Sequence, residues 1–247
     1  MATSTKTNVK AARPLPGRQY DRYFFSWFVV FLLATVFFGF ARTYFLAGVF
    51  AAPLKSPILQ VHGFVFSLWM ILLAVQTGLV AGRKVKLHRT LGLAGFGLAI
   101  VVFVAGILAA ANQLSRNVNS PRDYLAFSAI SFCDIFSFAI PVGLAYIARA
   151  NSAVHKRLVI IGTIGLTGAA IDRIPLPWVY HHATNAIETS WAFLVLLALY
   201  DLWALHKIHK ATLWGSVFVI LLQAMAEPLG STPLWHGFAR WVQSWGV

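Results

Sequence analysis

Residues 89–112 read RTLGLAGFGLAIVVFVAGILAAAN. After Arg89 the run holds no charged side chain. Its length meets the roughly 20 apolar residues that a helix needs to cross the hydrocarbon core of a bilayer. Working outward, six further runs of this kind lie at about 24–49, 59–82, 124–149, 157–175, 186–206 and 213–229. The fifth is the least apolar at its end, where Asp172 and Arg173 stand before Pro175 and Pro177. No long polar insertion interrupts the series. The sequence therefore predicts an all-α integral membrane bundle of seven transmembrane helices.

Composition agrees. Of 247 residues, 59% are hydrophobic and 11% charged, with a mean hydropathy of +0.72. A soluble domain carries about 25% charged residues. Seven acidic residues cannot cover a water-soluble surface of this size. An ordinary cytosolic enzyme and a disordered chain are excluded. A disulfide scaffold is excluded too, because Cys133 is the single cysteine. The first apolar run is too long for a signal peptide and has no obvious small-residue cleavage site.

The net charge of +13 raises the question of nucleic acid, but its distribution answers it. Fourteen of the twenty basic residues fall on alternate connections: Lys6, Lys10, Arg13, Arg18 and Arg22; Arg83, Lys84, Lys86 and Arg89; Arg149, Lys156 and Arg157; Lys207 and Lys210. This is the bias of cytoplasmic loops. It places the N terminus in the cytoplasm and the C terminus outside. The cations then face anionic phospholipid, and no nucleic-acid partner is expected. The layout is a basic cytoplasmic tail over 1–22, a seven-helix domain over 23–230 and an aromatic tail over 231–247 at the outer interface.

Two helix starts resemble each other. Leu87-His88-Arg89-Thr90-Leu91 opens the third run and Val154-His155-Lys156-Arg157-Leu158 the fifth. Gly92, Gly95 and Gly97 follow the first, and Gly162, Gly165 and Gly168 the second. Small residues at this spacing let helices approach closely, or leave room for a flat ligand. Two imidazoles on separate helices at one depth suit axial ligation of haem b, with Arg89, Lys156 or Arg157 pairing the propionates. The plainer alternative has both histidines capping helices or binding phospholipid.

Ionisable groups within a bilayer are costly and mark function. Toward the outer side lie His62, His181, His182, Asp172, Glu188 and Glu227, and Asp134 falls near mid-depth. His62 with His181 or His182 offers a second haem site. Alternatively His62, His181, His182, Asp172 and Glu188 offer mixed ligands for zinc, iron or copper, with Asp134 or Glu227 as acid–base partner. Trp27, Trp178, Trp235, Trp241 and Trp245 read as interfacial anchors, with a short surface helix near 235–245. No lysine occurs in the seventh run, so a rhodopsin Schiff base has no attachment point.

His62-Gly63, Gln76 and His88-Arg89-Thr90-Leu91-Gly92 resemble an uncharacterised family of bacterial multi-pass membrane proteins with a helix-start His, a later Gln and an H-R-x-L-G segment. The segment from His155-Lys156-Arg157-Leu158 to Arg173 looks like that family's second His-basic helix. The match covers about 60–175 and implies a bacterial inner (plasma) membrane location. More distantly, the chain is similar to diheme b-type membrane cytochromes, which carry histidines on four consecutive helices. Here the fourth run has Cys133 and Asp134 instead. The expectation is a membrane redox protein binding haem b and exchanging electrons with a quinone, a metal ion or a partner subunit. The alternatives are a non-haem metal enzyme and an accessory subunit of a photosynthetic or respiratory complex.

Overall fold

The computed structural model describes residues 20–53, 55–178 and 185–247. The expected tail 1–22 therefore lies outside the described residues except at its end, as do His181 and His182. Among the described residues the chain is all helical. The helices are α1 (Asp21–Phe40), α2 (Pro57–Ala81), α3 (Val85–Arg116), α4 (Tyr124–Ile147), α5 (Ser152–Ile164), α6 (Gly168–Ile171), α7 (Asn185–Leu205), α8 (Lys210–Ala224), α9 (Ala226–Gly230) and α10 (Pro233–Gln243). A wide π turn, Ala41–Phe45, extends α1. Seven spans are long and apolar enough to cross a membrane, α5–α6 and α8–α9 each counting as one.

Short polar signals set the helix starts. Ser56 accepts from Leu59 N ahead of Pro57 at the first helical position. Asp123 accepts from Ala126 N at 3.0 Å, and Asn151 from the amides of Ala153 and Val154. Each cap satisfies a backbone donor that the first turn leaves orphaned. Helix α3 is longer than its apolar run, so its start puts His88 inside the first turn and gives that side chain a helical address.

Consecutive helices α1–α2, α2–α3, α3–α4 and α4–α5 pack against one another, and α7 and α8 close on α5. Two polar links define the ends of the bundle. Asp21 at the start of α1 pairs with Lys156 on α5 and accepts from Tyr200 Oη on α7 at 2.6 Å. At the other end, Asn112 on α3 accepts from Ser56 Oγ at 2.8 Å and donates to the Val247 carbonyl at 3.0 Å. The described cations of the basic connections, from Arg22 to Lys210, gather at the Asp21 end. We call it the basic end.

The fifth span departs from a single helix. It breaks at Gly165-Leu166-Thr167, where Thr167 Oγ1 turns back to the Ile164 carbonyl at 2.7 Å and Gln223 Nε2 donates to the Gly165 carbonyl at 3.0 Å. The side chain on α8 stands in for the lost helical donor, which is how interrupted backbone persists at membrane depth. This span is the most enclosed of the seven. The aromatic end of the chain forms α10, whose Ala239 and Val242 are buried against α3 and α4 beside Phe132 and Ile135.

Candidate functional site: a histidine pair at the basic end

The repeated helix starts come together. The rings of His88 on α3 and His155 on α5 lie 6.4 Å apart, centre to centre, with their planes at 76°. Both are half-buried. Each Nδ1 has a partner on a different helix. His155 Nδ1 lies 3.0 Å from the Ala145 carbonyl on α4, so it carries the proton that this oxygen accepts and leaves Nε2 with a lone pair. His88 Nδ1 lies 2.7 Å from the Gln76 amide on α2.

Gln76 inserts its amide into the backbone ladder of α3. Its Nε2 donates to the His88 carbonyl at 3.2 Å as well as to Nδ1, and its Oε1 accepts from Gly92 N at 2.8 Å. This orientation is assigned from the donors and acceptors around it. Gln76 thereby fixes the His88 ring with Nδ1 as an acceptor, which puts the proton of the neutral ring on Nε2. Phe96 borders the pair, with its ring 6.1 Å from that of His155 and 4.7 Å from that of Tyr146.

The neighbouring cations have other commitments. Arg157 is buried, donates through Nε to both carboxylate oxygens of Asp201 at 3.1 and 3.2 Å, closes a second bond to Oδ1 through its terminal nitrogen, and donates to the Ala153 carbonyl at 2.9 Å. Asp201, also fully buried, further accepts from Thr212 Oγ1 and from His209 N at 3.1 Å. Lys156 is held by Asp21. Of the three cations considered for propionates, Arg89 is the exposed one without such a carboxylate. Sequence reasoning missed Asp21, Asp201 and Thr212. The available signal was Asp201 itself, an unexplained acid inside an apolar run.

His209 joins this region through the loop before α8, where its Nδ1 accepts from Ala211 N at 3.1 Å. Burial, with the Arg157 charge next, pushes its imidazole below the ordinary value. The cap requires the neutral ring, so its contribution is present above the unfolded pKa of about 6.5 and lost as the pH falls below it. Thermal melts between pH 7.5 and 5 should show a loss of stability that His209→Asn, which keeps an acceptor, reduces.

The glycine rows serve packing. A Cβ at Gly162 would stand 2.9 Å from the Phe138 carbonyl oxygen, at Gly165 2.8 Å from Ser137 Cβ, and at Gly168 3.2 Å from Ile187. These three let α5 and α6 lie close to α4 and α7. Gly95 meets Leu72 in the same way, whereas Gly97 faces open space.

Deeper in the bundle, Asp134 on α4 accepts from Gln223 Nε2 at 2.7 Å, and Gln223 Oε1 accepts from Trp191 Nε1 at 2.9 Å. Of the candidates toward the other end, His181 and His182 lie outside the described residues, and the others form no cluster with one another. Among the described residues no three His, Cys, Asp or Glu side chains form a metal-binding group. Asp172, Glu188 and Glu227 are exposed. His62 stacks near Phe66, and its Nδ1 is buried without a hydrogen-bond partner among the described residues. Arg173 donates to the Ala169 carbonyl and lies over the Phe40 ring at 4.6 Å. Comparison with family models, curated proteins and solved structures finds no match for the chain.

Proposed function

We propose that the chain is a membrane redox protein in which His88 and His155 hold the iron of one b-type haem. The observation that carries this reading is the paired imidazoles with both Nδ1 atoms engaged. The two rings stand 6.4 Å apart, centre to centre, on separate helices, so His88 and His155 would be the residues to hold one iron between them. Donor count points the same way. A zinc ion needs four ligands, whereas a porphyrin brings four of its own and asks the protein for two.

Haem iron supplies reversible one-electron chemistry between its ferric and ferrous forms. The protein's part is to aim two Nε2 atoms and tune their basicity. The Ala145 carbonyl takes the Nδ1 proton of His155 and increases that ring's donor strength. For Nε2 of His88 to bind iron, the ring's proton would have to move to Nδ1 and the Gln76 amide would have to turn Oε1 toward it, giving up its donation to Nδ1 and to the His88 carbonyl. Gln76→Glu makes this acceptor permanent and anionic. It should shift the midpoint potential to a more negative value than that of the wild type, read by redox titration of the absorption spectrum.

Under the positive-inside rule the basic end is cytoplasmic and the C terminus is outside. The electron partner is then a quinone or a protein at the cytoplasmic side. A dithionite-reduced minus oxidised spectrum of the purified chain tests the reading: a sharpened α band and a Soret shift are expected, and a flat difference spectrum rejects it.

A second reading, a non-haem metal centre toward the other end, rests on the unpartnered Nδ1 of His62. It needs further ligands from His181 or His182, and stoichiometric zinc, iron or copper in a chain without porphyrin would favour it.

A further inference from the structure

We propose that a groove between α4, α5 and α8 at the basic end binds an anionic phospholipid, one acyl chain in the groove and the phosphate at its mouth. The groove has a volume of about 820 Å³. Leu144 of α4, Leu158 of α5, and Trp214 and Phe218 of α8 form its walls, and Lys207 and Lys210 stand at its rim. From Lys210 to Phe218 the wall descends two turns of helix, about 12 Å, without a charged side chain. An acyl chain suits that surface, and an ammonium pair at its mouth suits a phosphate.

Among the described residues no carboxylate pairs with Lys207 or Lys210. Asp201, the acid nearest in sequence, is buried and taken by Arg157, Thr212 Oγ1 and His209 N. Lys207 and Lys210 are both exposed. His209, between them, is neutral at pH 7 because burial and Arg157 lower its imidazole, so the two lysines carry the positive charge.

The loop that bears them is pinned. His206 turns the chain in a left-handed conformation, φ 56°, with its N–H on the Leu202 carbonyl at 3.0 Å, and His209 N is tied to Asp201. The buried Arg157–Asp201 pair thus holds a cationic rim in place before a ligand arrives, which lowers the ordering cost of binding. A basic recess between helices at a membrane surface is the arrangement that recognises anionic headgroups.

The test presents the full chain, purified in mild detergent, with phosphatidylglycerol or with phosphatidylcholine of the same acyl chains. Bound lipids are counted by native mass spectrometry. One phosphatidylglycerol should be retained where phosphatidylcholine is not. Lys207→Gln with Lys210→Gln should weaken that binding roughly tenfold or more, while Lys84→Gln with Lys86→Gln at the same end leaves it unchanged. Leu144→Trp keeps the charge but fills the groove, and it alters an exposed position that folding tolerates; it should displace the lipid. Equal retention of the two lipids, equal loss in both lysine pairs, or retention by Leu144→Trp overturns the proposal. So does a neutral isoprenoid quinone held in the groove and indifferent to both lysines.

Discussion

The His88→Ala and His155→Ala proteins are expected to lose the Soret band of the wild type while keeping their helical content. Each substitution removes one of only two protein ligands, so retained haem should fall at least tenfold. The fold should survive both changes, because the rings are half-buried and each gives up hydrogen bonding worth about 1 kcal/mol. His62→Ala is the matched control at the opposite end. It removes a histidine from a span without touching the pair, and it should leave the spectrum intact. A band that survives in both His88→Ala and His155→Ala, or that disappears with His62→Ala alone, places the haem elsewhere. Circular dichroism on the same samples separates loss of ligand from loss of fold.

The Arg157→Leu protein is expected to be the least stable of any single substitution at the basic end. It leaves Asp201 buried with no cation, having kept only Thr212 Oγ1 and His209 N as donors. Breaking a buried ion pair from one side costs about 3–5 kcal/mol, because the remaining charge is stranded. Arg157→Leu combined with Asp201→Leu should recover most of that loss, since two apolar residues of suitable size can replace a buried pair at little net cost. Melting curves of the two single variants and the double variant measure the coupling. The same proteins distinguish two roles for Arg157. If it holds a haem propionate, the double variant loses haem; with Asp201 as its partner, the double variant keeps the Soret band.

Much of this was legible in the sequence. The uncharged run after Arg89 announced a span, and its six counterparts gave the bundle, because bilayer thickness dictates length so strictly. The two histidine-basic helix starts also announced a pairing: residues at matching positions on two helices running the same way lie at matching depth, and His88 and His155 do meet. The fifth span was harder to read. Asp172 and Arg173 at its end, with Pro175 and Pro177 beyond, made it the least secure span, yet it is the most enclosed of the seven. A central helix can carry Arg157 and break at Gly165 because α7 and α8 supply Asp201 and Gln223.

Pairings between distant segments were not legible. Asp201 and Arg157 are 44 residues apart, and Asp134 and Gln223 are 89 apart. No periodicity within one helix indicates which side chain on another will answer it. Gln76 is instructive for the same reason. In sequence it is one amide in an apolar run; in three dimensions it touches the His88 ring, the His88 carbonyl and Gly92 N together. The glycine rows left two readings open, since spacing alone does not separate room for a flat ring from close helix approach, and Gly162, Gly165 and Gly168 are used for approach.

If the chain carries haem between α3 and α5, as proposed, iron and porphyrin must be present together in the purified protein. The most direct test is a pyridine haemochrome assay and iron determination on the full chain, produced in haem-replete cells and purified folded. One b-type haem and one iron per chain are expected. A folded protein that is colourless, or that contains metal without porphyrin, contradicts the proposal.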